Sequence, residues 1–223
     1  MRSRPVVTID GPSGAGKTTV SKRLAEEAGL VRIDTGAMYR AVALAARRAG
    51  VSWDDAVRLG GVARDLDLSF RTVAGAPRVF LSGEDASEAI RTPEMSMGAS
   101  AVSAHEPVRE ALVAKQREMG REGGVVLEGR DTGTVVFPDA EAKFFLDAAA
   151  AVRARRRYLE HSPSGVQPFE EVLRDVLRRD VQDSTREHSP LRVADGAVYI
   201  DSSTLTVDEV VARMLGRLPG VPR

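Results

Sequence analysis

The sequence predicts an α/β fold, a parallel sheet flanked by helices. Three observations predict it. Strand-like and helix-like segments alternate along most of the 223 residues. Gly11-Pro12-Ser13-Gly14-Ala15-Gly16-Lys17-Thr18 fits the pattern Gly-x-x-x-x-Gly-Lys-[Ser/Thr]. That pattern follows a β-branched run and precedes a helical segment, the context in which it holds a phosphate.

The elements follow in order. Pro5–Ile9 is a short β-branched run and predicts a buried strand. The glycines after it let successive backbone N–H groups curl around an anion. Thr19–Ala28 predicts a helix whose N-terminus points at that anion. Leu30–Ile33 is a second strand candidate, and alanine-rich Ala37–Ala49 a helix with Arg47 and Arg48 near its end. Trp53–Leu59 predicts one or two further turns. Leu66–Thr72 and Arg78–Leu81 read as an antiparallel pair joined by the turn Ala74-Gly75-Ala76-Pro77, an excursion from the parallel core. Asp85–Arg91 is expected to be a short helix. Pro93–Ala104 and Pro107–Met119 each start near a proline suited to a first helical turn, and Gly120, Gly123 and Gly124 end the second. Val125–Leu127 and Lys143–Leu146 are buried-strand candidates, and Ala149–Glu160 a helix. His161–Pro168, with its prolines, glycine and serines, predicts a loop. Phe169–Thr185 is a charged helix, Ala197–Ile200 the last strand and Val207–Leu215 the closing helix.

Composition removes several classes. Apolar residues make up 43% of the chain, enough for a globular core. Lys+Arg and Asp+Glu both total 32, so the basic excess of a nucleic-acid binder is missing. The chain has no cysteine, hence no disulfide and no thiolate metal site. His105, His161 and His188 lack metal-ligand spacing. No apolar run approaches the roughly 20 residues that span a bilayer. The first strand begins too early to leave room for a signal peptide. The expectation is a soluble, cytoplasmic protein without nucleic-acid or membrane partners. Lysine is scarce (Lys17, Lys22, Lys115 and Lys143 only), which makes Lys17 less incidental.

The phosphate turn names a binding chemistry. Gly11 to Thr19 are the candidate ATP contacts. Lys17 can reach the β- and γ-phosphates, and the Thr18 hydroxyl is placed to ligate Mg²⁺. The reaction must be read elsewhere. A guanine-recognising Asn-Lys-x-Asp motif is excluded because the chain has no asparagine. The apolar run ending in an acidic pair that marks ATP-driven machines is only half matched by Val125-Val126-Leu127-Glu128. What the chain has instead is arginines spaced as phosphate clamps. Arg40 lies in Asp34-Thr35-Gly36-Ala37-Met38-Tyr39-Arg40, and Arg130 follows a strand in Glu128-Gly129-Arg130-Asp131, where open α/β sheets place ligands. Arg153, Arg155, Arg156 and Arg157 precede the Pro/Gly/Ser loop. Arg179 and Arg186, seven apart, are expected on one helical face with Asp183 between them. Three readings stay open at this point: a nucleoside monophosphate kinase, a small-metabolite kinase on the same scaffold, or a non-catalytic nucleotide-binding switch.

Four blocks carry a resemblance: Ile9–Lys17, Asp34–Arg40, Val108–Leu112 and Arg130–Ala140 (Arg-Asp-Thr-Gly-Thr-Val-Val-Phe-Pro-Asp-Ala). Together they resemble the bacterial cytidylate kinases, P-loop nucleoside monophosphate kinases that phosphorylate CMP and dCMP with ATP. The likeness runs from Thr8 to Thr204. It implies one P-loop NTPase-type domain over 1–223: a core of 1–35, 105–152 and 187–223, a strand-containing monophosphate-binding insert at about 36–104 and a short lid at about 153–170. It implies that Thr35, Arg40, Arg130 and Arg186 hold the CMP phosphate. Ser100, Arg109 and Asp131 would read cytosine, and Arg179 and Asp183 would contact the ribose. Lys17, Arg130, Arg156 and Arg157 are the expected catalytic cations, Mg²⁺ with ATP the cofactor, and a monomer the expected state. The sequence departs from the family at two points. Glu128 stands where many members have Asp, and Thr132 replaces a commoner apolar residue. Thr132, beside Asp131, is expected to alter the base pocket slightly.

Overall fold

The structure is a computed structural model that describes residues 2–73, 76–161 and 167–219. Its elements are β1 (Val6–Asp10), α1 (Lys17–Ala28), β2 (Val31–Asp34), α2 (Thr35–Arg48), α3 (Ala56–Arg64), β3 (Leu68–Val73), β4 (Ala76–Leu81), β5 (Glu84–Asp85), α4 (Pro93–Val102), α5 (Glu106–Met119), β6 (Val125–Gly129), β7 (Ala142–Asp147), α6 (Ala150–His161), α7 (Phe169–Thr185), β8 (Val198–Asp201) and α8 (Val207–Leu215). Contacts divide the chain into two compact units, Met1–Arg32 with Gly120–Arg223, and Ile33–Met119.

A five-stranded sheet of order β2-β6-β1-β7-β8 organises the first unit. β1 pairs in parallel with β6 (Val6 opposite Val125) and with β7 (Val7 opposite Ala142), and β7 pairs in parallel with β8. β1 and β6 are buried along their whole length. Both faces of a central parallel strand are covered, which is why Val6–Ile9 reads as a β-branched run and Val125–Leu127 as an apolar one. Val7, Ile9, Leu24, Val126, Phe144, Leu146, Ile200 and Met214 lie in one core cluster. Each fully buried side chain of this size contributes about 1.5–3 kcal/mol. The cluster fixes the middle strand, and so the turn that leaves it at Asp10.

The second unit packs α2, α3, α4 and α5 with a three-stranded antiparallel sheet, β3-β4-β5. Ser82 (φ 50°) and Gly83 (φ 80°) form the two-residue link from β4 to β5, the doubly left-handed geometry that suits a tight hairpin. Side-chain caps define several helix starts. Asp34 caps α2, Asp55 α3 and Thr92 α4, and in the first unit Thr206 with Glu209 forms a capping box on α8.

Three expectations are corrected. Asp85–Arg91 is not a helix: Glu84–Asp85 is a strand, and only Ala89–Arg91 makes a 3₁₀ turn. The cause is local. Asp85 accepts from the Ser87 N–H at 2.9 Å, and the Ser87 hydroxyl accepts from Val79 N–H at 2.9 Å, so these side chains take the bonds a helix would use. Arg186 is not on a helical face with Arg179, because α7 stops at Thr185 and Arg186 is extended (φ −61°, ψ 144°). The turn over Trp53–Leu59 becomes α3, starting at Ala56 because Asp55 caps it. The middle of the expected loop His161–Pro168, residues 162–166, lies outside the described residues, as does part of the 74–77 turn.

Candidate active site

The phosphate turn leaves the middle strand of the sheet. Gly11 has no space for a side chain: a Cβ there would meet the Leu146 carbonyl oxygen at 1.9 Å. Gly16 takes φ 93° and forms the N-cap of α1 with no side-chain cap. The helices α2, α3, α4 and α8 close their first amides with a side chain, whereas α1 has no such cap. Lys17 is 8% exposed and its ammonium donates to the carbonyls of Gly11 (2.7 Å) and Pro12 (2.6 Å). Burial, followed by the charge of Arg130, holds its pKa well below the usual lysine value, and Glu128, Asp183 and Asp10 oppose that shift. An anion in the turn would favour the charged ammonium and oppose that shift.

Arginines of α6 brace the turn from one helix face. Arg153, Arg156 and Arg157 share the spacing i, i+3, i+4, while Arg155 points to solvent. Arg157 donates to the Ser13 hydroxyl (2.7 Å). Arg156 donates to the Ala15 carbonyl (3.3 Å) and to the Ser202 carbonyl (2.7 Å). Arg153 is different. It is buried, donates to the carbonyls of Ala148 (2.7 Å) and Ser13 (3.2 Å), and forks onto Asp180 of α7 at 3.0 and 2.7 Å. Arg153 is therefore a structural strut, not a phosphate clamp. Burial lowers the Arg157 pKa below the usual arginine value; Glu160 opposes that shift and Arg130 adds to it.

Beyond β6 the chain makes a π-helical turn, Thr132–Val136, with Phe137 N–H bonded to the Thr132 carbonyl at 2.8 Å. Asp10 holds this turn. Its Oδ1 accepts from the Thr132 N–H (2.9 Å) and hydroxyl (2.8 Å), and its Oδ2 accepts from the Gly133 N–H (2.7 Å). Burial raises the Asp10 pKa to about 6, against the lowering effect of these bonds. Thr132 is thus aimed at Asp10 and is fully buried. Arg130 Nε donates to Asp183 Oδ2 at 2.6 Å, and Arg186 Nη1 lies 3.9 Å from Asp183 Oδ1. Burial would raise the Asp183 pKa, but Arg130 by charge and hydrogen bond, then Arg179 and Arg186, hold it below the usual carboxylate range. Asp131, next to Arg130, is buried.

The second unit carries its own polar cluster. Asp34 caps α2 at Ala37 N–H (2.9 Å) and pairs with Arg40 at 3.3 Å. Thr35 is buried at the first turn of the same helix. Arg109 of α5 is 3% exposed, lies 5.5 Å over the Tyr39 ring and donates to the Ser103 carbonyl (3.2 Å). The Ser100 carbonyl accepts from the Ser103 hydroxyl at 2.9 Å. A guanidinium held this way is preset in direction before any ligand arrives.

A cation would find oxygen donors at Thr18 and Glu128. The Thr18 hydroxyl donates to Glu128 Oε2 at 2.9 Å, leaving the hydroxyl lone pairs for a hard cation. Among the described residues no cluster of three or more His, Cys, Asp or Glu side chains could hold a metal ion.

Sequence reasoning missed Asp10, Ser21, Arg32 and Ser202. For Asp10 the signal was an acidic residue ending an otherwise apolar strand. For Arg32 it was a charge inside a strand, opposite in sign to the unassigned Glu128.

The profile of the cytidylate kinase family matches residues 7–219. A cytidylate kinase of Geobacter sulfurreducens is 55% identical over 210 residues, 94% of this chain and 90% of that protein. A cytidylate kinase of Syntrophotalea carbinolica is 51% identical over 216 residues, 96% and 92% of the two chains. Among solved structures, an uncharacterised protein of Eubacterium ventriosum shares the fold, with a TM-score of 0.52 at 11% identity over 96% of this chain and 97% of the other.

Proposed function

The chain belongs to the cytidylate kinase family, and on that premise we infer that it transfers the γ-phosphoryl group of ATP to CMP or dCMP, giving ADP and CDP or dCDP. One observation carries this reading: the likeness to enzymes of that name runs along nearly the whole chain.

The proposed roles follow from the chemistry. The first-turn amides of α1 and Lys17 take the β- and γ-phosphates. Thr18 is the residue that would hold Mg²⁺, which when bound offsets charge on those phosphates. The acceptor phosphate needs no general base, because a phosphate monoester's second pKa is about 6 and the attacking oxygen is already anionic at neutral pH. The chain's task is positioning and charge stabilisation. Thr35, Arg40, Arg130 and Arg186 are assigned to the CMP phosphate, whose oxygens match guanidinium forks. Arg130 is assigned a second part, at the moving phosphoryl group with Lys17, Arg156 and Arg157. Asp131 is assigned to the cytosine N4 amino group, and Arg109 and Ser100 to the rest of the base edge. Uracil would set a carbonyl against Asp131, which costs about 1–3 kcal/mol, or roughly 10- to 100-fold in discrimination. Arg179 and Asp183 are assigned to the ribose; Asp183 also fixes Arg130. The same proposal takes residues of about 36–104 as the monophosphate-binding insert, the segment about 153–170 as a lid that excludes water, and the enzyme as cytoplasmic and monomeric.

The test is an acceptor panel. ADP release from ATP should depend on CMP or dCMP and be weaker by about tenfold or more with UMP. Equal turnover with an unrelated hydroxyl acceptor would reassign the substrate. Tight ATP binding with no acceptor-dependent ADP would make the protein a switch.

A further inference from the structure

Arg32 lies in β2, yet its side chain is only 17% exposed, and the Glu128 side chain it meets is 5% exposed. A buried pair of this kind needs a reason, since desolvating both charges offsets much of their attraction. The geometry supplies one, because the two oxygens of Glu128 are used differently. Oε1 accepts from Arg32 Nε at 2.9 Å, from Arg32 Nη2 and from the Ser21 hydroxyl at 3.1 Å, while Arg32 Nε also reaches the Ser21 oxygen at 3.0 Å. Oε2 accepts from the Thr18 hydroxyl at 2.9 Å. Thr18 and Ser21 are one turn apart on α1, so the carboxylate bridges two hydroxyls of one helix face.

A hydroxyl that ligates a cation must send its own proton elsewhere. Glu128 Oε2 accepts that hydrogen bond here, and the Thr18 lone pairs are left facing away from the carboxylate. A glutamate arm alone would not hold this arrangement, since ordering it costs about 1.5–2 kcal/mol of rotamer freedom. Arg32 and Ser21 immobilise the arm from the far oxygen. We propose that Arg32 is a positioning residue for the cation site: by pinning Glu128 Oε1 it presents Oε2 to the Thr18 hydroxyl and aims that hydroxyl's lone pairs at the metal of the metal–nucleotide complex. The inference rests on the reading above that Thr18 meets that metal. It assigns a part to Glu128, the residue that departs from the commoner Asp, and to a strand arginine that no motif marks.

The experiment titrates Mn²⁺ into the full-length protein saturated with ADP and reads free Mn²⁺ by electron paramagnetic resonance. Calorimetry of ADP binding in EDTA and a melting curve run alongside. Arg32→Leu should weaken Mn²⁺ binding to the protein–ADP complex about tenfold, the usual size of an outer-shell loss. Metal-free ADP binding should stay within about twofold, and Arg32→Lys should fall between wild type and Arg32→Leu. Unchanged Mn²⁺ affinity in Arg32→Leu overturns the proposal. So does an equal loss of metal-free ADP binding, the mark of a merely structural pair. If Arg32→Leu does not fold, Arg32→Lys decides. Its single ammonium cannot replace both Nε and Nη2, so a wild-type Mn²⁺ affinity there overturns the proposal as well. CMP-dependent ADP release by the wild type is read separately, so a failed acceptor reading and a failed Arg32 role give different results.

Discussion

Thr132→Val removes one hydroxyl and changes little else in shape. The hydroxyl is one of three donors to Asp10, at 2.8 Å, beside the N–H groups of Thr132 and Gly133. A hydrogen bond to a charged group contributes about 1.5–3 kcal/mol. With it gone, the Asp10 pKa, already raised by burial to about 6 from 3.8, should rise by roughly one to two units more, at 1.36 kcal/mol per unit. The sign then follows from linkage. In both proteins the folded pKa of Asp10 exceeds its unfolded value, so ionised Asp10 opposes folding. Its contribution is most favourable below about pH 4 and is lost as pH rises through the folded pKa. In the valine variant that loss continues to higher pH. The two proteins should therefore differ little near pH 5 and by about 1.5–3 kcal/mol near pH 8. Urea unfolding at the two pH values measures the difference. A destabilisation of equal size at both, or larger in acid, would refute the reasoning.

Other outcomes are expected from the same geometry. Arg153→Met leaves the Asp180 carboxylate without its fork and should cost about 2–4 kcal/mol, the low side of a broken buried pair because Asp180 keeps some solvent; an unaltered urea midpoint would contradict the strut. Arg156→Ala loosens the bonds to Ala15 and Ser202 and should lower kcat by about tenfold or more while ADP binding changes less, a split that steady-state kinetics with calorimetry would detect. Gly11→Ala forces a Cβ to 1.9 Å from the Leu146 carbonyl oxygen and should cost about 3 kcal/mol or more, seen as a large drop in melting temperature; near-normal melting would mean that β1 and β7 can part there.

What could be read from the chain alone was whatever local chemistry determines. Phe169–Thr185 and Val207–Leu215 have the observed helix ends, the second because Thr206 and Glu209 close its first turn within four residues of sequence. β1 showed as a β-branched run and β6 as an apolar one because both faces are covered. The misreadings share a cause, a partner distant in sequence or a side chain that captures the backbone. The π-helical turn after Asp131 depends on Asp10, and nothing in Thr132–Val136 announces it. Arg153 looks like Arg156 and Arg157 in sequence, and its burial, with its bonds to Ala148 and to Asp180 on another helix, separates it from them. Glu128 was left without a part because Arg32 and Ser21, which hold it, lie about one hundred residues earlier. Asp85 and Ser87 diverted a segment with helical composition into a turn.

The central claim is phosphoryl transfer between two nucleotides, and following the phosphorus tests it most directly. ATP labelled at its γ-phosphate is mixed with CMP and the products are separated. The label should appear at the terminal phosphate of CDP in amount equal to the ADP formed, and Lys17→Ala should nearly abolish it while remaining folded. Label released as inorganic phosphate at the same rate with or without CMP, or normal CDP formation by Lys17→Ala, would contradict the account.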